Sequence, residues 1–312
     1  MMNPFKNKLL VLNKHAGPTS FDVVDAVRRA TGIRKVGHTG TLDPLARGLL
    51  LVCTGKATRA VEQFMDLPKT YEFTVRLGEE TATLDAEGEV IAEAPVPDIA
   101  EGEIAQTAAS FVGRYDMRPP AYSAIKKNGK RLYELARAGE DAVVDAREVT
   151  IHELEVIRTS LPDIDFRIRC SRGTYVRSFA RDFGLALGLP AHLRTLVRTS
   201  VGPFSIENAF PCERLFAGDV EGLDGIPLVE ALGFLPGIVL SVEAQRGLLD
   251  GVLPRYEDIV RVIGDVSGSP TARILGETSE LLAIGRLAAA LRPGLSYVDS
   301  FRLFVDRGSV PK

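Results

Sequence analysis

The segment Val36-Gly37-His38-Thr39-Gly40-Thr41-Leu42-Asp43-Pro44-Leu45-Ala46-Arg47-Gly48 constrains this chain more than any other. It gathers glycines, hydroxyls, one histidine and one carboxylate into a loop, which runs directly into the apolar stretch Leu49-Leu50-Leu51-Val52-Cys53. Gly37 and Gly40 permit backbone angles and close approaches that a β-carbon forbids. Pro44 fixes its own φ and biases Asp43 toward an extended backbone. The result is a carboxylate held at a rigid corner, beside a surface where a ligand can lie. On local grounds Asp43-Pro44 also reads as a helix start, with Asp43 as N-cap and Pro44 at the first helical position. A phosphate-binding loop is excluded. Ala57 follows Gly55-Lys56 where Ser or Thr is needed, and Leu50 stands where the upstream glycine belongs.

The chain has 312 residues, enough for about two domains. Its net charge of −3 does not announce a polyanion ligand, but the charge is segregated. Residues 79 to 105 carry nine Asp or Glu and no Lys or Arg. Residues 167 to 200 carry seven Arg against Asp182 alone, and residues 114 to 137 add a second basic run. Tyr115, Tyr122, Tyr133 and Tyr175 lie within these runs. Arginine-dense faces with interleaved aromatics suit RNA, which is held by charge and stacking. Cys53, Cys170 and Cys212 are odd in number and without CxxC spacing, which argues against a disulfide framework or zinc site. The four histidines form no HxxxH or HExxH pair, so no metal centre is expected. No apolar run reaches membrane-spanning length, and the expected compartment is the cytoplasm.

Hydrophobic periodicity predicts a strand over Leu9–Leu12 and a helix capped by Thr19 or Ser20, with Phe21, Val24, Val27 and Ala30 on its apolar face and Gly32 at its end. Strands are expected at Leu49–Val52 and at the alternating Tyr71–Leu77. A short helix is read over Ile104–Val112, and a strand pair over Val149–Ile157 and Ile164–Cys170. Thr174 reads as the cap of a helix through Leu187, with Val176, Phe179 and Phe183 on one face. Pro119-Pro120 opens an exposed, basic loop-and-helix excursion over about 115–145. Without regular βα alternation, the fold class is α+β: a mixed, mainly antiparallel sheet flanked by helices. A Gly/Pro-rich stretch near 218–237 places a boundary at about 230, with a small β-rich domain over 231–312.

Several ordered blocks resemble the bacterial TruB family of tRNA pseudouridine synthases. They are Asn13-Lys14-His15-Ala16-Gly17-Pro18-Thr19-Ser20, the Asp43 loop, Lys69-Thr70-Tyr71, Pro119 to Lys126 with Gly129 to Arg137, Arg172 to Ser178, and Leu193 to Gly202. His15 stands where the family has proline. The C-terminal part resembles, more loosely, the PUA-type RNA-binding module. The resemblance implies a pseudouridine-synthase fold and an isomerase that converts the T-loop uridine at position 55 of tRNA by base flipping. It implies Asp43 as nucleophile, Tyr71 stacked on the target uracil, and Arg177 pairing with Asp43 to hold it ionised. Tyr175 and Leu196 would line the uracil pocket, His38 would fill the gap left by the flipped nucleotide, and Lys14 would support the loop. Lys126, Lys130 and Arg131 would grip phosphates. The partner implied is the tRNA T-arm, with a monomeric enzyme and no cofactor or metal. Two other readings stay open on sequence: a guide-RNA-dependent synthase, and a non-catalytic tRNA-binding or folding protein.

Overall fold

The computed structural model describes residues 3–120, 126–127, 130–131, 145–288 and 295–305. Among the described residues the main sheet has 11 strands. Its central path runs from Phe210–Pro211 through Lys8–Lys14, Arg47–Thr54, Ala191–Val201, Lys69–Leu77, Asp163–Cys170 and Arg147–Ser160 to Gly113–Met117. Most neighbours are antiparallel; Lys8–Lys14 with Phe210–Pro211 and Ala191–Val201 with Arg47–Thr54 are parallel. The expected mixed, mainly antiparallel sheet is therefore present. The strand Ala191–Val201, for which the sequence reading had proposed no element, is central. Polar Arg194-Thr195 and Arg198-Thr199-Ser200 interrupt its hydrophobic pattern, and the two register shifts against Lys69–Leu77 fall there.

Lys69–Leu77 alternates buried and half-buried side chains without a break. Its inward Phe73 stacks on Phe166 of the next strand at 5.4 Å between ring centres. Helix Val176–Ala186 lies over them, and Phe179 meets both rings edge-on at 5.6 and 5.8 Å. Val176, Phe179, Ala180 and Phe183 occupy one face of that helix and are buried, so packing against the sheet fixes its rotation. This helix has no side-chain cap. Tyr175, not Thr174, is the N-cap residue, while the Thr174 hydroxyl donates to the Ser171 carbonyl at 3.0 Å.

Helix Ser20–Thr31 begins as the sequence predicts: Thr19 and Asp22 form a reciprocal capping box, and Gly32 closes the end at φ 71°. Phe21 is a correction. It is 58% exposed, with the Arg28 guanidinium 5.5 Å from its ring centre, because Val23, Val24, Ala26 and Val27 take the buried arc instead.

The helix expected at Asp43-Pro44 does not form. Residues 44–45 make a turn, the Ala46 amide donates to the Asp43 carbonyl at 3.1 Å, and strand Arg47–Thr54 follows at once. The glycine that this loop needs is Gly48, at φ 105°. A β-carbon there would lie 2.3 Å from the Arg198 carbonyl oxygen, so the bare glycine lets two parallel strands meet. A β-carbon at Gly37 meets nothing closer than 4.0 Å.

A second sheet of five strands begins at Gly237–Leu240 and has its own apolar core around Ile238, Leu248, Ile274 and Val298. Ile284 and Phe304 from this part pack with Leu9, Leu49, Leu51 and Phe64 of the first, so the two sheets share a buried contact. No described helix is long and apolar enough to cross a membrane.

Gly48→Ala is expected to lower stability by about 2–5 kcal/mol, combining left-handed backbone strain with overpacking against the Arg198 backbone. Gly32→Ala, where nothing lies within 4 Å of the new β-carbon, should cost only about 1–2 kcal/mol. Denaturant midpoints of the two variants check the ranking; equal losses would mean the strand contact does not matter.

Candidate active site

A cavity of about 450 Å³ opens where the Asp43 loop, strands Lys69–Leu77 and Ala191–Val201, and the turn entering helix Val176–Ala186 converge. That size holds a single small ligand. Asp43, Tyr71, Tyr175, Arg177, Leu196 and Arg198 all line it. Asp43 and Arg177 stand 134 positions apart in the chain.

Their contact is a two-point ion pair. Arg177 Nε lies 3.0 Å from Asp43 Oδ2, and Arg177 Nη2 donates to Oδ1 at 3.2 Å. Arg177 is buried and is held from behind as well. Its Nη1 donates to the Thr83 carbonyl at 3.0 Å and lies 3.4 Å from Oδ2 of Asp85, itself buried. The Thr83 hydroxyl and the Glu87 amide in turn donate to Asp85 Oδ1 at 2.5 and 3.1 Å. Asp85 belongs to the acidic run, which the sequence reading treated only as a charge block. Thr83 and the tight turn that buries Asp85 are the features that mark it.

Burial pushes the Asp43 carboxyl above its ordinary value, with Arg177 opposing and Asp85 adding to the rise. The Arg177 pairing that the resemblance implied is present and works against this rise. The loss of water around the carboxylate outweighs the one opposite charge.

Tyr71 is buried, and in the sheet it sits directly opposite Arg198 on one side and Ile168 on the other. Burial raises its phenol, while the charge and hydrogen bond of Arg198 pull it back. Arg198, 2% exposed, donates from Nε to the Leu49 carbonyl at 2.6 Å and from Nη2 to the Gly40 carbonyl at 3.2 Å. One arginine thus ties the loop, the strand after it and the tyrosine together. The sequence reading counted Arg198 as part of a basic surface. Its two-residue spacing from buried Leu196 was the available sign that both share a face.

Tyr175 presents its ring to the cavity and to Arg147, whose guanidinium lies 4.6 Å from the ring centre. Arg147 also donates to the Gly173 carbonyl. The sequence reading did not single it out. Lys14 is fully buried and donates from Nζ to the carbonyls of His15, Pro18 and Pro44 at 3.0, 2.8 and 3.2 Å. It thereby clamps the residue after Asp43, and its burial lowers the ammonium to about 8. His38 lies outside the cavity lining; its Nδ1 accepts from the Gly40 amide at 3.3 Å, and burial lowers its pKa. The backbone of Lys126–Lys127 pairs with Lys130–Arg131 as a small hairpin, but the side chains of Lys126, Lys130 and Arg131 lie outside the described residues.

The basic run of 167–200 is not the bare positive face that its composition suggested. Arg177 and Arg198 point inward. The others have carboxylate partners: Arg167 with Glu72 and Glu155, Arg169 with Glu153, Arg172 with Asp66, Arg181 with Asp182 and Arg194 with Asp163. The acidic partners come mostly from neighbouring strands and so are invisible in a local charge count. Tyr115, too, is structural: its hydroxyl contacts Asp182 and its ring meets Phe111.

The sheet, and a carboxylate paired with arginine at the floor of a base-sized cavity, define a pseudouridine-synthase type of protein. Residues 28–176 match the TruB family pseudouridylate synthase N-terminal domain. A protein named tRNA pseudouridine synthase B from Cupriavidus pinatubonensis (strain JMP 134 / LMG 1197) is 40% identical over 296 residues, covering 91% of this chain and 92% of its own length. Another of the same name, from Geobacillus thermodenitrificans (strain NG80-2), is 44% identical over 258 residues, covering 79% and 85%. Among solved structures, the chain superposes with a TM-score of 0.78 and 26% identity on a chain of a Cbf5-Nop10-Gar1 complex, over 99% of this chain and 88% of that one. The chain belongs to the TruB family of pseudouridylate synthases.

If turnover needs the Asp43 carboxylate ionised, the rate falls as pH drops, with a midpoint above the ordinary Asp value of about 3.9. Arg177→Met removes the opposing charge, so its acid limb should lie higher still, with kcat reduced on the order of 100-fold. A pH profile of single-turnover rates tests both; an acid limb unmoved by Arg177→Met would break the assigned coupling.

Proposed function

We propose that this protein is a tRNA pseudouridine synthase that isomerises the T-loop uridine at position 55. The observation that carries the reading is the Asp43–Arg177 pair at the floor of a cavity walled by Tyr71, Tyr175 and Leu196. The names of the relatives support tRNA as the substrate class.

The reaction conserves composition. The C1′–N1 bond breaks, the uracil turns, a C1′–C5 bond forms, C5 loses its proton and N1 gains one. A base stacked in a helix cannot enter a concave site, so the target nucleotide is extruded first. Tyr175, stiffened by Arg147, and Leu196 hold the flipped ring. Tyr71 stacks from below, its phenol kept protonated by burial and within the field of Arg198. Asp43 acts on the nucleoside either by attack or by assisting loss of the uracil, and the two-point grip of Arg177 fixes its direction. Lys14 holds the Pro44 carbonyl, so the carboxylate does not swing with its loop. His38 neighbours the loop and enters the gap in the RNA. Lys126, Lys130 and Arg131 grip phosphates. Residues 1–230 form the catalytic part and 231–312 a PUA-like RNA-binding part, a division supported by the second sheet starting at Gly237. The enzyme acts as a monomer in the cytoplasm.

The test is incubation of the purified protein with unmodified tRNA transcript, mapping pseudouridine by carbodiimide-dependent primer extension. One new stop at the T-loop uridine is expected, also on a bare T-arm hairpin without guide RNA. Asp43→Asn should abolish the stop while leaving tRNA affinity within a few fold. Full activity in that variant, or modification only when a guide RNA is added, would refute the reading.

A further inference from the structure

We propose that a groove between the second sheet and the helical segment 55–65, lined by Arg59, Arg286 and Arg302, binds a backbone phosphate of the substrate RNA; this rests on the tRNA reading above. Arg286 lies between Thr271 and Ser300 in the register of three adjacent strands, and Arg302 lies opposite Ile284 two residues along. These positions share one face of the second sheet, the face whose Ile284 is buried against the first. Arg59 comes from the first part of the chain and meets them across the groove, which encloses about 220 Å³.

Two reciprocal bonds set the arginines in place. Arg59 Nη1 donates to the Leu303 carbonyl at 2.8 Å, and Arg302 Nη1 donates to the Arg59 carbonyl at 2.8 Å. Each guanidinium keeps further donors after that bond. Among the described residues, no carboxylate lies within ion-pair distance of Arg59, Arg286 or Arg302, although Glu62 lines the groove. The contrast with Arg167, Arg169, Arg172 and Arg194 is the argument. Those four exposed arginines are each met by a carboxylate, whereas among the described residues the three gathered here have none. Like charges held together repel, and an anion between them removes that repulsion.

The groove also lies close to the catalytic cavity. Glu62 lines the groove, Met65 lines the cavity, and both belong to helix Val61–Met65. Three residues of helix rise about 4.5 Å, less than one turn. A polyanion threaded into the cavity therefore passes within reach of the groove, and a phosphodiester near the flipped nucleotide is the anion that arrives there. The hydroxyls of Thr271 and Ser300 stand beside Arg286 as additional donors.

Arg286 makes no hydrogen bond within the described residues that its replacement would break, so it is the position to vary in the full-length protein. Arg286→Gln and Arg286→Glu should weaken tRNA binding several-fold, and more for Glu. Each should reduce the slope of log affinity against log salt by about 1. kcat should stay unchanged while KM rises, and Arg286→Lys should restore most of the affinity, since a point charge still serves a phosphate. Unchanged affinity and slope in all variants would overturn the proposal. So would a Lys variant as weak as the Glu variant, or inorganic phosphate raising the wild-type melting temperature beyond chloride at matched ionic strength while tRNA binding ignores Arg286. Pseudouridine formation by the wild type is measured on the same tRNA. Its absence would fault the substrate reading, whereas its presence with indifferent variants would fault the groove alone.

Discussion

The Asp43–Arg177 ion pair is the interaction on which the rest of the site depends. A carboxylate at the floor of a half-closed cavity is costly to ionise, and a single arginine in direct two-point contact limits that cost. The arginine is itself buried and must be held by something other than water. Asp85 and the Thr83 carbonyl do this from the far side, so the guanidinium is clamped between two acidic groups and has little freedom to turn. Arg198 plays the parallel part for Tyr71, linking the phenol to the backbone of the same loop that carries Asp43. The site is two buried arginines, each joining a functional side chain to the scaffold.

That arrangement needs close packing of the layers beneath it. The Phe73, Phe166, Phe179 and Phe183 cluster fixes the height and rotation of helix Val176–Ala186 over the sheet, and hence the point from which Arg177 reaches out. Arg177 follows Val176, the first buried residue of the helix, so its direction is set where helix rotation is most strongly defined. Gly48 removes the one β-carbon that would separate the loop-bearing strand from Arg198. Lys14, an uncommon fully buried lysine, finds three carbonyl acceptors in the turns around Asp43, which is why its burial is tolerated.

Much of this was legible in the chain, and the parts that were not share a cause. Lys69–Leu77 declared itself by strict alternation, and Ser20–Thr31 by its capping box and terminal glycine. Asp43, Tyr71, Tyr175, Arg177 and Leu196 were named from motif blocks, and the fold brings them to one cavity. Asp85, Arg147 and Arg198 were missed as site residues because a charged side chain reads as surface unless its burial is known. Local windows also miscast the arginines of 167–200, whose carboxylate partners lie on neighbouring strands. Asp43-Pro44 looked like a helix start because its chemistry suits a cap, but the Asp43 carbonyl closes a turn with Ala46 and the Pro44 carbonyl accepts from the Gly17 amide and Lys14, so no helix propagates before strand Arg47–Thr54 begins.

The sequence by itself determined the types of the strongly periodic elements and the family, and it named five residues that line the cavity, since periodicity, capping and motif spacing are local properties of the chain. Only the tertiary structure decided which charges are buried and which cancel, and which way the Asp43 carboxyl shifts. Those are questions of distance and solvent between residues far apart in the chain, and Asp43 and Arg177, separated by 134 positions, meet only once the sheet has closed.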